Sequence, residues 1–160
     1  PEDIPLLGDL FADEILRNAI DHGLVLCVEI KSHDAAAAIT EYVRDAGLLD
    51  HTVIYSFDPD DLETAHSVSP TVRTNLLFGS DRDANLARAV EIGAWSVNPE
   101  VYDADEEFVR RAHDAGLQVS VGRTNDMTEI QRLLRLDVWG VHTDYPQRGA
   151  AVRNQLDAVK

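Results

Sequence analysis

The chain has 160 residues, 44% of them hydrophobic, enough to bury one real core, so residues 1–160 read as a single domain. Asp and Glu number 29 against 14 Lys and Arg, a formal charge of −15, which leaves no basic surface to neutralise a phosphate backbone and makes nucleic acid a poor partner. No apolar run is long enough to span a bilayer, and no signal-peptide pattern opens the chain at Pro1.

The acidity is spread along the whole chain, and the only lysines are Lys31 and Lys160. This predicts a surface adapted to concentrated salt, where screening removes the self-repulsion that opposes compaction. The melting temperature is expected to rise between low salt and molar KCl; equal stability in both would refute salt adaptation. Cys27 is the single cysteine, so no intrachain disulfide forms. Its place in an apolar run predicts a small buried hydrophobe and suits a reducing, cytoplasmic setting.

In chain order, an apolar stripe of Leu10, Phe11, Ile15, Leu16, Ala19 and Ile20 predicts a helix over 9–21. Short β-rich runs then follow at 24–30, 52–56, 73–78, 95–98, 118–121 and 139–143. Between them, small and apolar residues at three-to-four spacing predict helices over 35–46, 59–68, 83–92, 105–115 and 128–134. The tail 147–159 offers Val152, Leu156 and Val159 as a thin apolar face for a last helix. Gly47, Gly93 and Gly116 close amphipathic runs where a left-handed cap belongs, while Asp58-Pro59 and Asn125-Asp126 stand where helices begin. The alternation implies a parallel sheet, either doubly wound or closed into a barrel, and periodicity does not choose between them.

Strand alternation in the first β run puts Leu24, Leu26, Val28 and Ile30 on one face and Val25, Cys27, Glu29 and Lys31 on the other. A carboxylate and an ammonium therefore point the same way at the C-terminal strand end, where parallel βα folds bind ligands. Such a pair suits a phosphoester bound to a hard cation, and equally a simple rim ion pair. A lysine kept in a chain nearly devoid of lysine favours the first. Ser56, Asp58, Asn98, Arg123, Asn125, Thr143 and Asp144 also stand at strand ends; for Asp58, Asn125 and Asp144, capping or loop-tying is the favoured role. His33 is close enough to reach the mouth, and His142 reads as a packed histidine. The histidines lack zinc-ligand spacing, and no GxSxG, GxGxxG or P-loop motif occurs.

The series Val28-Glu29-Ile30-Lys31, Ser56-Phe57-Asp58-Pro59, Leu76-Leu77-Phe78, Val97-Asn98-Pro99, Gly116-Leu117-Gln118-Val119, Thr124-Asn125-Asp126 and Gly140-Val141-His142-Thr143-Asp144-Tyr145-Pro146 resembles, in order and spacing, the glycerophosphodiester phosphodiesterases. The resemblance covers nearly the whole chain. It implies a (β/α)8 TIM barrel, an incomplete one of about six βα units in which the visible strands are the third to the eighth. It implies hydrolysis of glycerophosphodiesters to glycerol phosphate and an alcohol, with Glu29 a ligand of a divalent cation, calcium or magnesium, and Lys31 a contact to the substrate phosphate. The family's two acid–base histidines belong to motifs that do not occur before Leu24, so the resemblance implies a truncated enzyme, inactive by itself. A non-catalytic barrel remnant or binding module is the alternative. A phosphoacceptor receiver domain fits less well, since it places its lysine on the last strand. Gly122 stands where the family commonly has tryptophan, and His142 where it has a hydrophobic residue. An open barrel edge further predicts self-association as a homodimer.

Overall fold

The structure, a computed structural model, describes residues 6–157. In chain order it contains α1 (Leu7–Ala12), α2 (Glu14–Asp21), β1 (Leu26–Glu29), α3 (Ala36–Asp45), β2 (Thr52–Ser56), α4 (Pro59–Val68), β3 (Arg73–Leu77), α5 (Arg82–Glu91), β4 (Ser96–Asn98), α6 (Glu106–Asp114), β5 (Gln118–Val121), α7 (Met127–Arg135), β6 (Gly140–Val141) and α8 (Pro146–Asp157). The six strands lie in the order β1-β2-β3-β4-β5-β6, with parallel pairings. A doubly wound sheet reverses its strand order at a switch point, and none occurs here; sequential order with a helix after each strand is that of consecutive TIM-barrel units. The fold is therefore an incomplete TIM barrel.

The chain forms two compact units, one reaching to Ser56 and including Asp60–Thr74, the other made of Phe57–Pro59 and the residues from Asn75 onward. In the first, Phe11, Ile20, Val43 and Leu48 form a buried cluster against which Leu7, Leu16, Leu26 and Ile39 pack. Of the predicted stripe, Phe11, Leu16 and Ile20 reach this cluster, from two helices and not the one expected, whereas Leu10 and Ile15 are exposed. Asp13 leaves the helical region (φ −66°, ψ 125°) and its side chain accepts a 2.9 Å bond from Leu16 N, so it caps α2 and ends α1.

Strand β1 shows the expected alternation, with Ile30 buried and Cys27 and Glu29 exposed. The expectation of a buried Cys27 is corrected: the alternation that turns Leu26 toward the helices turns the thiol to the opposite, uncovered face. Local desolvation still raises its pKa, opposed by a hydrogen bond with Tyr55 and by the charge of Arg73.

In the second unit Phe108, Val97, Val119, Val121, Ile130 and Leu133 are fully buried. Asp105 caps α6 by accepting from Phe108 N at 2.7 Å. The hydrogen bond from Arg82, at 2.8 Å, and that from Phe108 N hold the Asp105 carboxyl below the ordinary range. Asp126 caps α7 through Thr128 N at 2.8 Å, as expected for that position. Gly47, Gly93 and Gly116 adopt φ of 69°, 68° and 81°, the left-handed caps expected of them, and Asp137 (φ 62°) follows α7 in the same conformation. Trp95 and Trp139, immediately before β4 and β6, stack edge to face with centroids 5.0 Å apart. Helix α8 begins at Pro146; Val159, expected on its apolar face, lies outside the described residues.

Candidate functional site

Strand β1 runs parallel to β2 in the register Glu29↔Tyr55, and Ile30 N donates to Tyr55 O at 2.8 Å. That pairing fixes the end of β1, from which Glu29 and Lys31 project. Lys31 Nζ donates to Glu29 Oε1 at 2.5 Å, with side chains 76% and 34% exposed. The two predicted residues are thus brought together. An ion pair this exposed contributes only about 0–1 kcal/mol, so stability does not account for it.

Ser56 does not line an open mouth. Its hydroxyl donates at 2.7 Å to Asp61 Oδ2, and the other oxygen of Asp61 lies 3.2 Å from His33 Nδ1. Asp61 is buried and was missed by sequence reasoning, because a third residue of an acidic first turn (Asp60, Asp61) carries no motif. His33 was expected near the mouth, and the structure gives it a carboxylate partner.

In the second unit the strand-end polar residues bind one another. Asn125 Oδ1 accepts from Thr143 Oγ1 at 3.1 Å and from Asp144 N at 2.9 Å, while its Nδ2 donates to Asp144 Oδ2 at 2.8 Å. Arg123 lies 3.6 Å from the same carboxylate. Asn125 and Asp144 thus tie the loops after β5 and β6, the role favoured for them. His142 is half-buried. Asn98 Oδ1 accepts from Ser120 Oγ at 3.3 Å within a buried polar layer where Asn75 Nδ2 donates to Ser96 Oγ at 2.5 Å and to Ser120 Oγ at 3.1 Å. A side chain at Gly122 would bring Cβ to 3.3 Å from Pro99 O, so any larger residue there would press on that backbone carbonyl, while Glu100 Oε2 at 3.6 Å stays at ordinary contact distance.

A hard cation takes about six or more oxygen ligands. Among the described residues no group of three or more His, Cys, Asp or Glu converges to hold one, and Glu29 is engaged by Lys31. The residues described do not by themselves fit calcium or magnesium. No helix among them is long and apolar enough to cross a membrane.

Several solved structures share this chain path. A protein assigned as a glycerophosphoryl diester phosphodiesterase from Silicibacter pomeroyi superposes with a TM-score of 0.82 at 27% identity, over 96% of this chain and 57% of that one. A glycerophosphodiester phosphodiesterase from Parabacteroides distasonis gives 0.76 at 18% identity, over 88% and 62%. An Oleispira antarctica phosphodiesterase in complex with its product sn-glycerol-3-phosphate gives 0.72 at 18% identity, over 88% and 58%. The chain thus spans less than two thirds of the length of each of the three. No curated protein matches in sequence. Residues 25–148, more than three quarters of the chain, match the Glycerophosphoryl diester phosphodiesterase family, and the chain belongs to that family.

Proposed function

We propose that the chain is part of a divalent-cation-dependent phosphodiesterase that cleaves glycerophosphodiesters to glycerol phosphate and an alcohol, as in glycerophospholipid breakdown. In this reading residues 1–160 are one domain supplying strands three to eight of the barrel. The observation that carries it is the Glu29–Lys31 pair at the C-terminal end of β1, in a chain of this family. Lys31 holds a substrate phosphate oxygen as a point charge. Glu29 is one oxygen ligand of calcium or magnesium, completed by ligands outside residues 6–157. The product held by the Oleispira relative supports a small-molecule substrate. The proposal extends to a cytoplasmic, high-salt setting and to self-association through an open strand edge.

The test is hydrolysis of glycerophosphocholine with calcium or magnesium in molar salt, by the full-length protein and by residues 1–160 alone. Activity is expected from the first and little or none from the second. Strong turnover by residues 1–160 alone would overturn the assignment of missing ligands. Inactivity of both would favour a non-catalytic scaffold.

A further inference from the structure

Two residues beyond Lys31, His33 opens a single 3-10 turn, His33–Ala35. The parallel register of β1 and β2 brings the ends of both strands to one level, which sets this turn beside Ser56 and the first turn of α4. His33 Nδ1 then lies 3.2 Å from Asp61 Oδ1, and Ser56 Oγ occupies Asp61 Oδ2 at 2.7 Å.

Exposure separates the three. The His33 side chain is 75% exposed and that of Asp61 6%, while Ser56 is 2% exposed. Burying a carboxylate is costly unless it is bonded, and a bond to an exposed ring returns only about 0–1 kcal/mol. The positive end of the α4 dipole lowers the cost of Asp61 but does not explain why one of its oxygens is turned to an exposed imidazole. A buried acceptor, itself steadied by a serine, does what orienting groups behind functional histidines do: it fixes the tautomer and the ring plane. With the Nδ1 proton on the Asp61 side, the neutral ring carries its acceptor, Nε2, on the opposite edge.

Resting on the phosphodiesterase reading above, we propose that His33 accepts a hydrogen bond from a hydroxyl of the substrate's glycerol moiety, and that Asp61, backed by Ser56, is its positioning residue. Lys31 takes the phosphate and His33 the adjoining hydroxyl. The pair therefore selects glycerol phosphates over alkyl phosphates of the same length. A site built to bond a hydroxyl discriminates against an analogue lacking it, here by about tenfold for one partly exposed hydrogen bond.

Competitive inhibition of the full-length protein by sn-glycerol 3-phosphate and by n-propyl phosphate tests this. The wild type is expected to prefer glycerol phosphate by about tenfold, and His33→Gln to reduce that preference to about twofold or less. Asp61→Asn should cut the preference while moving the His33 15N signals from the Nδ1–H toward the Nε2–H tautomer. Ser56→Ala should act in the same direction more weakly. An unchanged preference in His33→Gln and Asp61→Asn, with both ligands still bound, would overturn the role of His33 and leave the phosphodiesterase reading standing. If neither compound inhibits the wild type, the phosphodiesterase reading fails and this inference falls with it.

Discussion

Glu29→Gln in the full-length protein should lower kcat/KM for glycerophosphocholine by about a thousandfold, roughly 4 kcal/mol, while leaving the melting temperature within about two degrees of wild type. The two halves of this result have different causes. In the role proposed for Glu29, the carboxylate ligand is replaced by an amide of the same size that binds a cation poorly, so a contribution of several kcal/mol to the barrier goes with it. The folded chain loses only an exposed ion pair to Lys31. If Glu29 served only as the partner of Lys31, hydrolysis would fall no more than a few-fold, and steady-state kinetics separates the outcomes without ambiguity.

Phe108→Ala should destabilise the chain by about 3–5 kcal/mol, a large share of the total for a domain of this size. Phe108 is fully buried, its ring centroid lies 6.1 Å from that of Phe78 in an edge-to-face arrangement, and the Arg82 guanidinium sits 5.9 Å from the ring centre. Alanine keeps the backbone donor that Asp105 caps, so the loss measures the ring and the cavity it leaves. Urea denaturation followed by indole fluorescence reads it. A loss below about 1 kcal/mol would mean that the surroundings collapse into the space.

The strands at 52–56 and 118–121 and the helix at 59–68 were legible to the residue, because local composition and flanking turn residues act over a few positions. So were the glycine caps and the convergence of Glu29 with Lys31, which needs only period-two alternation on one strand. The break at Asp13 was written in the sequence as well, an aspartate three residues before Leu16, but a continuous apolar stripe concealed it. The exposure of Cys27 was not legible, since it depends on which face of β1 is covered. Nor was the meeting of His33 with Asp61, 28 positions apart, which depends on the register between two strands. The barrel order came from residue resemblance, and the uninterrupted strand sequence established it independently.

The stacked indoles before β4 and β6 decide how the protein can be watched. They are its only tryptophans, both in the unit that begins its continuous run at Asn75, while Tyr42 and Tyr55 are the largest chromophores of the other. Indole emission, and the exciton couplet of two rings this close, therefore report one unit alone. An opening confined to the unit that carries Glu29, Lys31 and His33 would be optically silent in the tryptophan bands. Amide exchange or tyrosine absorbance would be needed to see it.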